Sequence, residues 1–280
     1  MREVSCDVIT EAVERLCIEA ATVLPPSLAI LLECAAESEE SPAGVLALED
    51  IVENFKYAAK DGIPICQDTG MAVVFADIGQ DVHITGGSFE EAVNEGVRRG
   101  YKNGLLRTSV VGDPLTRNNT DDNTPCVLHV RIVPGGCIDL HVAPKGFGSE
   151  NMSAMRMFLP SDTVETIEGF IVETVSNAGS NPCPPIVLGV GLGGTIEQCA
   201  LIAKRALLRP ADTRNSNEFY AQMERSVLEK INRLGIGPQG FGGRYTAIAV
   251  NIEIYPTHIA GLPCVVNMGC HATRHAHTKL

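Results

Sequence analysis

A mixed α/β fold is what this sequence predicts, and two observations carry the prediction. Apolar residues recur at helical spacing through residues 8 to 60, and apolar runs of strand length (Met71 to Ile78, Ile186 to Val190, Ala247 to Ile254) alternate with helical segments further along. At 280 residues the chain is long enough for one large domain or two subdomains, on the prior of roughly 100–200 residues per domain. No repeat, low-complexity tract or linker divides it. One integrated domain over 1–280, open to subdivision and fronted by a helical layer over 1–60, is therefore expected.

The elements follow in order. Ile9, Val13, Leu16 and Ala20 mark a first helix, Pro25-Pro26-Ser27 interrupts it, and Leu28 to Cys34 begins a second periodic run. A Gly/Pro loop at 62–64 leads through Cys66-Gln67-Asp68-Thr69-Gly70 into the strand Met71 to Ile78, which places this polar group at a loop-to-strand junction. Ser88-Phe89-Glu90-Glu91 is a capping box opening a helix to about Gly100. Pro125 to Val133 and Cys137 to Val142 read as a strand pair joined by Pro134-Gly135-Gly136, closed by a Gly-rich turn at 146–148. Asp162 to Ala178 is helical, Ile186 to Val190 with Thr195 to Leu208 is a βα unit, 218–234 is a helix, and Ala247 to Ile254 is a strand before a Cys/His-rich C-terminus.

A net charge of −12 argues against phosphate-backbone binding, which needs clustered Lys and Arg, so no nucleic-acid partner is expected. An anionic ligand would need local cations. The N-terminus, Met1-Arg2-Glu3-Val4-Ser5-Cys6-Asp7, lacks a secretory pattern, and the apolar runs fall short of the ~18 residues of a membrane span. A cytoplasmic protein with no membrane partner is the expectation. Ten cysteines in a reducing compartment then divide between packing and chemistry.

Three of those cysteines sit in punctuated loops. Cys66 stands beside Gln67 and Asp68, so thiolate, amide and carboxylate share one turn; the plain alternative is a buried thiol, with Asp68 satisfying the turn's own amides. Cys183 lies in Asn181-Pro182-Cys183-Pro184-Pro185, where prolines keep it out of a helix. Cys270 lies in Asn267-Met268-Gly269-Cys270-His271-Ala272. Three scattered loop thiols are compatible with a cluster site assembled by the fold. Cys17, Cys34, Cys126, Cys137, Cys199, Cys264 and Cys6 read as packing or incidental. A rival zinc-like set, Cys264, Cys270, His271, His275 and His277, matches no compact finger spacing.

The loop from Arg107 to Thr120 holds two Arg suited to bidentate carboxylate recognition, and a polar loop of this length in a compact domain usually has a functional reason. Lys145-Gly146-Phe147-Gly148-Ser149-Glu150-Asn151 has the form of an anion nest or of a generic turn. Gly189-Val190-Gly191-Leu192-Gly193-Gly194 follows a strand but fails the dinucleotide-loop spacing. His258 follows the last predicted strand and precedes the Cys270 loop.

Taken in order, Cys66 to Gly70, Arg107 to Thr124, Lys145 to Asn151, Cys183-Pro184-Pro185 before Gly191-Leu192-Gly193-Gly194-Thr195, and Pro256-Thr257-His258-Ile259-Ala260 through Cys270-His271-Ala272 resemble the α region of class I fumarases and L-tartrate dehydratases. The resemblance runs along nearly the whole chain. It implies a hydro-lyase in which Cys66, Cys183 and Cys270, on loops at strand ends, bind a 4Fe-4S cluster with one iron free of Cys ligation. It also implies that Gln67, Asp68, Arg107 and the turn at Gly148 contact a small dicarboxylate, and that Asp68 and His258 handle protons. Phe147 departs from the Gly often found there. The family's other half, with a catalytic Thr and further Arg and Lys groups, is not in this sequence, so a β subunit in an α2β2 assembly is the expected partner.

Reversible hydration of fumarate to (S)-malate is the activity preferred on these grounds, with L-tartrate dehydration as the alternative. A non-catalytic iron–sulfur sensor or scaffold is the reading from another class. The dicarboxylate-binding set Gln67, Asp68, Arg107 and His258 speaks against it.

Overall fold

The computed structural model describes residues 2–280; Met1, the first residue of the polar N-terminal stretch, lies outside the described residues. The elements are mixed α/β, as the periodicities predict. The described chain divides into two compact units, one made of residues 2–25, 55–147 and 274–280, the other of 26–54 and 148–273.

In the first unit, β1 (Arg2–Ser5) leads into α1 (Cys6–Thr22), whose N-cap Ser5 accepts a hydrogen bond from the Val8 amide. Strand β2 (Met71–Gly79) follows, then β3 (Val82–Thr85), which pairs with β1 in parallel. Next comes α4 (Phe89–Asn103), where the Ser88 side chain accepts from Glu91 as the capping box predicts. Strands β4 (Val127–Val133), β5 (Ile138–Lys145) and β10 (Ala276–Lys279) complete a four-stranded sheet in the order β10-β5-β2-β4. One face of that sheet, with Val74, Ala76, Leu140 and Val142, packs with Ile9, Val13 and Leu16 of α1 and Val93 and Val97 of α4 in one apolar core.

The predicted hairpin of β4 and β5 is corrected here. The two strands do not pair with each other: β2 lies between them, parallel to β4 and antiparallel to β5. The connecting residues arch across the end of β2, where Gly79 N donates to Cys137 O, Gln80 N to Val133 O and Asp81 N to Gly135 O. The reason is burial, since β2 is apolar on both faces and takes the sheet centre, while β4 is largely exposed and sits at the edge.

The second unit holds α2 (Pro26–Ser38), the first part of α3 (Pro42–Asp61), the short helix α5 (Phe147–Glu150, from its second residue), β6 (Ala154–Phe158), α6 (Val164–Ala178), β7 (Ile186–Gly193), α7 (Ile196–Ala206), α8 (Glu218–Asn232), β8 (Ala247–Tyr255) and β9 (Leu262–Met268). Its sheet runs β6-β9-β7-β8, with β7 and β8 parallel and β9 antiparallel to β7. Ile186, Leu188 and Val190 of β7 form a core with Ile171 and Val175 of α6 and Val227 and Ile231 of α8. Buried Glu224 on α8 is matched by Arg209, by Asn215 N at 3.0 Å and by Ile252 N at 2.8 Å, which offsets the cost of a carboxylate in the core.

The segment Cys6–Ser38 has the length and mean hydropathy of a membrane span, at 33 residues and 1.6. It is two helices separated by residues 23–25, and Ile9, Val13, Leu16 and Leu28, Leu32 are buried core positions.

The glycine run of β7 has a packing explanation. A Cβ on Gly189 would meet Ala203 O at 2.1 Å, and one on Gly191 would meet Cys199 O at 2.2 Å, so α7 lies directly on the strand. Gly189→Ala should force α7 off β7 and destabilise the chain by at least about 1–3 kcal/mol, read as a fall in the denaturant midpoint, whereas Gly169→Ala on α6, with open space around it, should leave the midpoint unchanged or raised.

Candidate functional site

The turn from Cys66 to Gly70 enters β2 with its polar groups accounted for one by one. Both oxygens of Asp68 accept backbone amides, Oδ1 from Gly70 at 3.0 Å and Oδ2 from Phe147 at 2.9 Å. The Asp68 carbonyl accepts from Arg274 Nη2 at 2.6 Å. The Tyr101 hydroxyl donates to Thr69 O at 2.8 Å and is 3.0 Å from Gly70 O, and Asn123 Nδ2 reaches Gly70 O at 3.2 Å. Thr69 Oγ1 donates to Arg107 O at 2.9 Å, tying the turn to the long polar loop. Gly70 has φ +75, and a Cβ there would stand 2.7 Å from Lys145 backbone, so no other residue fits.

This brings Cys66, Gln67, Asp68 and Arg107 into one neighbourhood of the first unit. Cys66 and Asp68 are half-buried, and Gln67 and Arg107 are exposed. The guanidinium of Arg107 makes no ion pair among the described residues, in contrast to Arg98, Arg99 and Arg131. The polar loop is itself ordered by a bridge between Val111 and Asn119, by Asp113 Oδ1 accepting from Leu115 and Thr116 N, and by Asn123 Oδ1 accepting from Ser109 N. The Thr116 and Leu115 amides hold the Asp113 carboxyl below the usual carboxylate range.

In the second unit the structure brings the Cys183 and Cys270 loops together. His271 N donates to Cys183 O at 3.2 Å, and His271 Nδ1 lies 3.0 Å from the same oxygen. Gln239 Nε2 donates to Pro184 O at 2.8 Å and lies 3.2 Å from His271 Nδ1. Cys183 is held at φ +54, a left-handed conformation costing a non-glycine residue on the order of 1–2 kcal/mol. The Cys270 carbonyl caps its own turn by accepting from Thr273 N and Oγ1. His258 sits exposed on the loop after β8, where its Nδ1 accepts from Ala260 N at 3.1 Å. Gly148 lies exposed in the short helix α5, while the neighbouring Phe147 amide is taken by Asp68.

The thiols separate by environment. Burial pushes Cys126 up to about 12 and Cys199 to about 11, and drives Cys17 and Cys264 upward as well, so these four stay protonated packing groups. Cys66 and Cys270 are half-buried and Cys183 is exposed, all on loops, which is the donor chemistry an iron–sulfur cluster requires; Cys137, on the loop before β5, and Cys6, at the start of α1, are half-buried too, so the three are marked out by their motifs and not by accessibility. Cys34 is exposed on α2 and does not pack. The zinc-like C-terminal set is not assembled as read from sequence: Cys264 is buried on β9, and His271 is engaged with the Cys183 loop.

The family model for fumarate hydratase (fumerase) matches residues 10–279. The chain belongs to this family. Among its relatives, a protein of Methanocaldococcus jannaschii provisionally named L(+)-tartrate dehydratase subunit alpha is 41% identical over 274 residues, 96% of each chain. The L(+)-tartrate dehydratase subunit alpha of Escherichia coli (strain K12) is 28% identical over 269 residues, 95% of this chain and 88% of that one. Fumarate hydratases and tartrate dehydratases are hydro-lyases, and the fumerase assignment agrees with the order of motifs in the sequence.

Sequence reasoning missed the residues that hold the turn. Tyr101, 1% exposed, and Arg274 lie outside every motif, Asn123, 0% exposed, lies within the Arg107 to Thr124 stretch without being singled out, and only the fold shows them converging on 68–70. Tyr101→Phe keeps the ring and deletes the hydroxyl, leaving buried carbonyls short of a donor. It should cost about 1–3 kcal/mol in chemical denaturation, and Asn123→Ala a similar amount.

Proposed function

We propose that this chain is the α subunit of an iron–sulfur hydro-lyase acting on a small dicarboxylate, hydrating fumarate reversibly to (S)-malate with a β subunit in an α2β2 assembly. The observation that carries the reading is the fumerase match across 10–279, joined to three unburied thiols on the loops whose motifs resemble that family. Cys66, Cys183 and Cys270 are the thiolates that would hold a 4Fe-4S cluster. When bound, a cluster with one iron free of Cys ligation supplies Lewis acidity toward the substrate's hydroxyl and carboxylate oxygens.

The chain's own groups do the rest. Arg107 receives one substrate carboxylate as a bidentate donor, and Gln67 offers its amide beside it. Asp68 and His258 carry the proton, His258 through Nε2 because Nδ1 is occupied by the Ala260 amide. Asp68 also orders the Cys66 turn through its two amide bonds, so its carboxylate serves shape as well as proton transfer. The turn at Gly148 gives backbone contact to the substrate.

A second substrate reading, L-tartrate, is favoured by the names of the relatives, both subunits alpha of tartrate dehydratase. Those names also support a β partner. Anaerobic co-purification with a β subunit, iron and sulfide quantitation, and parallel assays on fumarate and L-tartrate decide between them. Fumarate hydration saturating at about one β per α is the expected outcome; tartrate turnover alone reassigns the substrate, and full activity from cluster-loaded α alone removes the two-subunit reading. Within that assembly Asp68→Asn should lower turnover at least about 100-fold while iron stays nearly intact, and Cys270→Ser should lose iron and activity together. Loss of iron in the Asp68 variant would reduce Asp68 to its role in ordering the turn.

A further inference from the structure

The sheet of the first unit carries a second group of metal-ligating side chains, made of none of the residues assigned above. Strands β5 and β10 pair antiparallel with His141 directly opposite His277, and Asp139, two residues back along β5, projects from the same face. The ligand atoms of Asp139, His141 and His277 all lie within 4.8 Å of one another. Asp139 Oδ1 is 3.3 Å from His141 Nε2 and 3.8 Å from His277 Nε2. Donors about 2.0–2.1 Å from a tetrahedral zinc ion stand about 3.3–3.4 Å apart, so little movement would close the set.

Two further observations point to a ligand. Asp139 Oδ1 is a buried carboxylate oxygen with no hydrogen bond among the described residues, although two imidazoles face it. His275, two residues before His277, has a buried Nδ1 that is likewise without a partner among the described residues, and its ring lies close enough to feel both other imidazoles. The rings of His141 and His277 are stacked at 4.8 Å and 22°, an arrangement suited to neutral imidazoles, the form that ligates metals. Leaving such groups unmatched is costly, and a bound cation would satisfy them.

We propose that Asp139, His141 and His277 bind a divalent transition-metal ion of the zinc class. Two imidazoles and one carboxylate suit zinc, cobalt or nickel and disfavour magnesium and calcium, which take mainly oxygen donors. His277 is half-exposed, so water reaches the remaining coordination position. The site bridges the four-residue edge strand β10 to β5, and β10 follows directly on Arg274 and His275. An ion here clips the C-terminal strand, and with it the segment whose Arg274 donates to the Asp68 carbonyl. The inference stands apart from the hydro-lyase reading, since it needs neither the cluster nor a substrate.

The test is anaerobic Co²⁺ titration of the untagged, chelator-treated full chain beside His277→Ala and Asp139→Asn, with Zn²⁺ thermal shifts in parallel. The ten thiols will also take metal, so the readout is the difference between wild type and variant. The wild type should bind about one more equivalent than either variant, the difference spectrum should lack thiolate-to-cobalt charge transfer, and the Zn²⁺-induced rise in Tm should be smaller in the variants. His277 lies on an exposed edge, and His277→Gln provides a second variant of closer size should the alanine fold poorly. Equal uptake in wild type and variants, or a difference spectrum dominated by sulfur bands, overturns the proposal.

Discussion

A turn that carries a thiol, an exposed amide and a carboxylate tied to two backbone amides must have its own carbonyls held from behind, and that constraint organises the first unit. Residues 66–70 have no helix or strand of their own to satisfy their peptide groups. The carbonyls of residues 68, 69 and 70 are met instead by Arg274, Tyr101 and Asn123, drawn from the C-terminal segment, from α4 and from the polar loop. Each donor arrives from a different part of the sequence, so the turn takes its shape only when the sheet and α4 are in place. Burying Tyr101 and Asn123 almost completely excludes water as a competitor, which makes each bond count for more than it would at the surface.

The second unit solves the same problem by strain and lacing. Cys183 is held in a left-handed backbone conformation between prolines, and the Cys270 loop is fastened to it through His271 and Gln239. Sheet geometry sets this up, because β7 begins three residues after Cys183, β9 ends two residues before Cys270, and the two strands are antiparallel neighbours. Thus Leu188 faces Met268, and the two loops emerge at the same end of the sheet. Two thiols far apart in sequence become neighbours in chain path without a compact motif.

The sequence made the helices and the central strands legible, because α1, α4, α6 and α8 bury one face and β2, β7 and β8 are continuous apolar runs. The cysteines, Asp68 and Arg107 were legible as loop residues with chemistry. Pairing was not. β4 and β5 are joined by a Gly-Gly turn that in isolation favours a hairpin, and only competition for the buried centre places β2 between them. Strands β1, β3 and β10 are four residues each, too short for a period to register. Among them is the strand that sets His277 opposite His141, a relation that no linear reading of the C-terminal histidines contains.

Charge closes the argument about the site. The proposed dicarboxylate would approach a chain of net charge −12, so general electrostatics would repel it and specific cations would have to do the binding. Several of the chain's cations are already engaged. Arg209 serves Glu224, Glu253 and Asn251; Lys204 serves Glu150; Lys230 serves Glu168; and Arg274 donates to the Asp68 turn. Beside the Cys66 turn, Arg107 is exposed and makes no ion pair among the described residues, although its own carbonyl is tied down by Thr69. The anchored backbone with a free guanidinium is the arrangement a carboxylate receptor needs, since ordering the chain beforehand spares that entropy on binding. A single such group neutralises one carboxylate. The other carboxylate, buried without a paired cation, would carry a desolvation cost larger than a neutral hydrogen bond returns, so the proposed reaction needs a second cation, which Arg117 of the same loop or, in the two-subunit reading, the β subunit would supply.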